Sequence, residues 1–119
     1  MPATTSYSRG DVVLVPFPFT DFSGSKQRPA LVVSPNSLNA IRPDVLLAAI
    51  TSQIPVALET DEIPVPTADL VLGGLPKPSI VRTSKLVSIH QGLIRKRLGS
   101  VSQPTLQRVL TQIQSMFQA

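Results

Sequence analysis

The chain has no cysteine, no tryptophan and a single histidine among its 119 residues. Without cysteine there is neither a disulfide framework nor a thiolate metal site. One histidine excludes a histidine-rich zinc centre. Long apolar runs are missing as well. The longest uncharged stretch, Val45–Leu58, spans 14 residues and is interrupted by Thr51, Ser52, Gln53 and Pro55. A membrane span needs roughly 20 mostly apolar residues. The first residues do not pair a basic region with an apolar block, so no signal peptide is expected. These absences point to a soluble cytoplasmic chain with no membrane partner and no metal or other cofactor. Acid is scarce where base is plentiful. Residues 76–119 carry seven basic side chains and no Asp or Glu, whereas residues 1–75 carry seven acidic and four basic ones. That asymmetry suggests a polyanion or an acidic protein segment as partner.

The length suits one domain over 1–119, with residues 1–7 expected to be flexible. Twelve prolines spread along the chain exclude long helices from most of it. The β-branched, apolar Asp11–Val15 predicts a first strand, closed by Pro16-Phe17-Pro18-Phe19. A loop rich in Ser and Gly, 20–27, leads through Arg28-Pro29 into a second strand, Ala30–Ser34. Val45–Thr51 is continuously apolar, as in a strand buried on both faces. A short strand is predicted at Ala57–Thr60, then turn and loop from Glu62 to Pro78. Ser79–Thr83 and Lys85–Ile89 predict two further strands. Leu93–Leu98 carries Arg95-Lys96-Arg97 and ends at Gly99. Ser102 or Gln103 caps a helix over 104–117, with Pro104 in the first turn. Leu106, Val109, Leu110, Ile113 and Phe117 recur at helical spacing on one face. Short strands followed by one helix describe a mainly β (α+β), small antiparallel barrel.

Several of these segments, in this order, resemble the MazF/PemK toxins. They are Arg9-Gly10-Asp11-Val12-Val13, Pro16-Phe17, the Gly-Ser loop, Arg28-Pro29-Ala30-Leu31-Val32-Val33-Ser34 and Ala49-Ile50-Thr51-Ser52. The likeness continues through Pro78–Val81, Lys85–Ile89 and Arg97-Leu98-Gly99, and covers roughly residues 8–117. It implies an SH3-like barrel of the MazF/CcdB type with a C-terminal helix, and a homodimer. It further implies a sequence-selective, metal-independent endoribonuclease of the mRNA interferase type, cutting single-stranded RNA and neutralised by an acidic antitoxin tail.

The residues can be weighed against that chemistry. RNA is cut without metal when its own 2′-hydroxyl attacks the adjacent phosphorus, which needs donors for a phosphorane and groups to move two protons. A guanidinium presents a planar fork of N–H donors matched to phosphoryl oxygens. Arg28 opens a strand, and Pro29 restricts it to extended geometry. The resemblance makes Arg28 and Thr51 the catalytic pair, with Ser52 in support. A Thr hydroxyl at the end of an apolar strand can donate to a phosphoryl oxygen, and it can equally bond its own backbone. In the loop, Lys26 stands where some relatives carry a Glu, with Gln27 beside it; a lysine stabilises charge or donates a proton but is no carboxylate base. His90 is the one imidazole, the side chain best suited to proton exchange near neutral pH, and it equally fits a plain strand end. Phe19 and Phe22 offer faces for base stacking, or core packing as for Tyr7 and Phe17. Ser25, Arg82, Lys85, Arg95, Lys96 and Arg97 are the remaining candidates for the RNA path, through phosphate contacts that position without reading sequence. Base choice is assigned to loops 20–27 and 52–56. Met116 and Phe117 are candidates for a dimer contact.

Two rival readings stay open. One is a non-enzymatic inhibitor on the same fold, like the gyrase poison CcdB, although the ending Met116-Phe117-Gln118-Ala119 is unlike the CcdB ending. The other is a degenerate module that holds RNA or antitoxin without cutting, supported by Lys26.

Overall fold

Apolar segments buried on both faces build the molecule around one antiparallel sheet. The computed structural model describes residues 6–16 and 26–118. Its strands are β1 (Asp11–Pro16), β2 (Gln27–Val32), β3 (Asp44–Thr51), β4 (Glu62–Pro64), β5 (Ile80–His90) and β6 (Lys96–Ser100). Three helices interrupt them: α1 (Asn36–Asn39), α2 (Thr67–Leu72) and α3 (Gln103–Met116). The strand order is β4-β5-β3-β2-β1-β6, with every pairing antiparallel.

Both faces of the central strands are covered, which is why Val45–Thr51 reads as an unbroken apolar run. One face buries Val12, Leu31, Val33, Ala48 and Ile50 against Leu106 and Val109 of α3. The other buries Val13, Val15, Ala30, Val32, Leu47 and Ala49 with Ile89 and Ile94. Leu110 and Ile113 extend the packed face of α3, but Phe117 is 77% exposed and lies off it. The helix stops at Met116, so the apolar period no longer governs Phe117.

Several predicted elements move. Ala57–Thr60 is loop, and the short strand lies at Glu62–Pro64 instead. A turn closed by Glu62 N–H donating to the Glu59 carbonyl (2.9 Å) and Glu59 N–H to Glu62 Oε1 (2.8 Å) sets that start. Within the stretch read as loop, α2 forms behind Pro66 and ends at Gly73-Gly74. β2 begins at Gln27, because Gln27, Arg28 and Pro29 pair with Pro16, Val15 and Leu14. The two strands read at 79–83 and 85–89 are one strand, β5, broken by a bulge. Ala48 pairs with Leu86, yet Ala49 pairs with Arg82, so Thr83–Lys85 bow out of the ladder. Gly99 lies inside β6 rather than ending it.

Among the described residues the expected small antiparallel barrel is a six-stranded sheet with β4 and β6 at its edges, followed by the C-terminal helix. The turn after α2 packs against β6. A Cβ at Gly99 would lie 2.0 Å from the Leu72 carbonyl oxygen. One at Gly74, whose φ is +66°, would lie 2.4 Å from that of Leu98. Only glycine permits these two backbones to touch.

Asp69 of α2, 2% exposed, joins that layer to α3. It accepts from the Ser102 amide (2.8 Å), the Ser102 hydroxyl (3.0 Å) and the Thr105 hydroxyl. Ser102 therefore sits at the N-cap without capping through its own side chain, and a carboxylate from another helix takes its amide. Near the N-terminus, the Tyr7 amide donates to Gln91 Oε1 (3.0 Å). Residues 1–5 of the segment expected to be flexible lie outside the described residues.

Candidate functional site

Arg28 and Thr51 occupy equivalent positions on neighbouring strands. Ala30 pairs with Ala49, and two residues further along each strand stand Arg28 and Thr51. Side chains two apart share a face, so both belong to the face of Ala30 and Ala49. Arg82 pairs with Ala49 across the other side of β3 and shares that face too. In a regular strand Lys85, three residues on, would face the opposite way. The bulge returns it to the same side. It is pinned by Asp61, whose carbonyl accepts from the Thr83 amide (2.8 Å) and hydroxyl (2.8 Å), and whose carboxylate accepts from the Ser84 hydroxyl.

The result is a hollow of about 220 Å³ lined by Arg28, Ala49, Ile50, Thr51, Gln53, Arg82 and Lys85. Three cations surround one hydroxyl, and among the described residues no carboxylate lines the wall. Behind Arg82 stands Glu62, 9% exposed, its Oε2 3.7 Å from Arg82 Nε. Among the described residues that buried Nε has no hydrogen-bond partner, so the pair orients Arg82 by charge. Thr51 Oγ1 accepts from the Gln53 amide (3.1 Å). This bond uses an oxygen lone pair and leaves the hydroxyl proton to donate. The arrangement can bind a phosphodiester and stabilise negative charge developing on it.

A second hollow of about 180 Å³ shares the Arg28–Ile50–Thr51 wall. It is otherwise lined by Pro29, Ser52, Leu75, Pro76, Lys77 and Ser79. Ser52 thus adjoins the pair from the second hollow. Lys26 and Gln27 are exposed at the start of β2, next to Arg28 in the chain.

Other candidates stand apart. His90 pairs with Asp44, at the opposite end of β3 from Thr51, a separation of roughly 23 Å at strand rise. Its Nδ1 accepts from the Gly92 amide (2.9 Å) and caps a 3₁₀ turn, Gln91–Leu93. It also borders a third hollow of about 480 Å³ with Tyr7, Arg42 and Gln91. Arg95, Lys96 and Arg97 are exposed on or beside edge strand β6. Arg97 is drawn to Asp11, Nε to Oδ1 at 2.9 Å, while the other oxygen of Asp11 accepts from the Ser8 amide. Phe17, Phe19, Phe22 and Ser25 lie outside the described residues.

Sequence reasoning placed Gln53 in the loop assigned to base choice but missed Asp61, Glu62, Leu75, Pro76, Lys77 and Ser79. The polar Thr83-Ser84 step between apolar stretches was the one sign of the bulge. Nothing local marked the 75–79 wall, which the turn after α2 carries to Arg28. Among the described residues, no group of three or more His, Cys, Asp or Glu side chains is placed to hold a metal ion. No described helix is long and apolar enough to cross a membrane.

The fold recurs in solved structures. MazF from Deinococcus radiodurans superposes with a TM-score of 0.75 at 20% identity, covering 95% of this chain and 97% of that one. A MazE–MazF complex from the same organism gives 0.74 at 23% identity, covering 94% and 96%. The endoribonuclease of a Mycobacterial species in complex with its cognate antitoxin gives 0.74 at 19% identity, covering 92% and 93%. No curated relative matches the sequence. The profile of the PemK-like, MazF-like toxins of type II toxin–antitoxin systems, however, matches residues 8–117. With nearly the whole chain matched and the Arg28–Thr51 pair seated on that fold, the chain belongs to this toxin family.

Proposed function

We propose that this protein is an endoribonuclease toxin that cuts single-stranded RNA sequence-selectively and without metal, by attack of the 2′-hydroxyl on the adjacent phosphorus. The observation that carries the reading is the convergence of Arg28, Arg82, Lys85 and Thr51 on one hollow. The Arg28 guanidinium grips the non-bridging oxygens, and Thr51 donates to one of them. As the O2′–P bond forms, P–O5′ breaks. The 2′-hydroxyl proton passes to solvent, and a proton from the Lys85 ammonium covers the leaving 5′-oxygen. The products are a 2′,3′-cyclic phosphate and a 5′-hydroxyl. Arg82 balances the charge of the phosphorane, and the exposed Lys26, two residues before Arg28, adds positive potential.

An acidic antitoxin segment laid over the same cations would exclude RNA. The Mycobacterial and Deinococcus relatives in complex with antitoxins support such a partner. A homodimer is part of the proposal. Exposed Ile54, Val56 and Leu58, together with Met116 and Phe117, supply apolar surface for it. Lys26, standing where some relatives carry a Glu, favours one second reading, a module that binds RNA or antitoxin without cutting.

The test is cleavage of a long single-stranded RNA in excess EDTA, wild type beside Arg28→Ala, with the new ends mapped chemically. Cyclic-phosphate and 5′-hydroxyl ends made only by wild type are the expected result. Equal cutting by both proteins removes Arg28 from the mechanism. RNA bound by folded protein but never cut turns the assignment to the binding module.

A further inference from the structure

The two hollows that meet at Arg28 and Thr51 differ in chemistry. The first gathers Arg82 and Lys85 and suits phosphate. The second is mostly apolar, walled by Pro29, Leu75 and Pro76; away from the shared Arg28–Thr51 wall and its neighbour Ser52, its polar groups are Lys77 and Ser79. Single-stranded RNA alternates the same two chemistries, because its bases can be splayed from the backbone and read on their edges. A phosphodiester held at the shared wall therefore directs its neighbouring base into the second hollow.

The polar groups there specify an edge. Ser79, 6% exposed, donates its hydroxyl proton to the Lys77 carbonyl (2.9 Å). Its oxygen is left as an acceptor. The Lys77 ammonium is a donor only. An acceptor oxygen set against Lys77 and a ring N–H set against Ser79 describe a keto base, O6 and N1–H of guanine or O4 and N3–H of uracil. In adenine and cytosine the exocyclic group at that position is an amino donor, which an ammonium repels.

Building on the endoribonuclease reading above, we infer that the Leu75–Ser79 wall is the element that selects a keto base next to the scissile phosphate, with Lys77 as its specificity-determining residue. Sequence choice then rests on this segment as well as on the loops flanking the strands.

The experiment is cleavage of a randomised single-stranded RNA pool by wild type, Lys77→Ala and Lys77→Arg, with every cut site sequenced. Wild type is expected to show guanine or uracil enriched at one position adjoining the cut. Lys77→Ala is expected to flatten that position, slowing the preferred sites about tenfold without slowing sites that carry adenine or cytosine there. Lys77→Arg, which keeps the charged donors, is expected to retain the preference. An unchanged preference in Lys77→Ala overturns the inference, and so does an equal slowing at all sequences, which marks a phosphate contact. Failure of wild type to cut any RNA instead overturns the endoribonuclease reading beneath it.

Discussion

At the scale of single residues, the division is between side chains that meet and side chains that merely share a charge. Arg28, Thr51, Arg82 and Lys85 meet in one hollow. Arg97 is equally basic but anchors to Asp11, an ion pair of which one partner is 52% exposed. Its loss is worth at most about 1 kcal/mol. Arg28→Ala is expected to lower the RNA cleavage rate by about 10²–10³-fold. Arg28→Lys is not expected to restore it, because an ammonium lacks the planar fork. Thr51→Val is expected to slow cleavage and Thr51→Ser to keep it, since only the donated proton matters. His90→Ala is expected to leave the rate unchanged, its ring being bonded to Gly92 at the far end of β3. Single-turnover rates with a labelled oligonucleotide check all five variants. The candidate pair was legible in the sequence because its motif residues stand in a fixed order. Remoteness of His90 was not, because sequence distance says nothing of strand pairing.

Secondary elements decide which way the side chains point. The bulge at Thr83–Lys85 brings Lys85 to the face of Arg82, and the Asp61 carboxylate holds it through Ser84. Asp61→Ala keeps the backbone bonds to Thr83 and removes only the side-chain bond. It is expected to lower kcat several-fold while leaving stability within about 0.5 kcal/mol. Cleavage rate and Tm measured on one preparation check this, and a matched fall in both would make the bond merely structural. Gly99 fixes another element. A Cβ there meets backbone 2.0 Å away, so Gly99→Ala is expected to cost about 3 kcal/mol or more, read as a lower urea midpoint. Central strands were legible because continuous apolarity marks them. Short β4, helix α2 and the bulge were not. Each is fixed by contacts distant in sequence, such as Glu62 with Arg82 and Asp61 with Thr83.

For the whole molecule, the joint between α2 and α3 carries a pH signature. Burial of Asp69 pushes its pKa up, but the hydrogen bonds from Thr105 and from the Ser102 amide and hydroxyl outweigh it and hold the carboxyl below its ordinary value near 3.8. The folded state thus favours the carboxylate. The stabilisation is complete above about pH 4 and is lost as pH falls through the folded value. Asp69→Asn is expected to flatten this acid decline and to cost about 2–3 kcal/mol at neutral pH, through weaker bonds to the end of α3. Urea unfolding of both proteins from pH 3 to 7 checks it.

The sequence by itself determined the class of fold, the terminal helix and the family. Apolar periodicity, proline and glycine punctuation, and motif order are local properties that survive without coordinates. It also determined that positive charge gathers in residues 76–119. Only the tertiary structure decided which of those charges share a site. Strand register set Arg28 beside Thr51, a bulge turned Lys85 inward, and a glycine contact carried the 75–79 wall to the same place. These depend on contacts between residues far apart in the chain, and Arg28 and Lys85, which line one hollow, are 57 positions apart. The physical reason is that side-chain direction in a sheet follows register and bulges, and both are set by the partner strand rather than by the strand's own sequence.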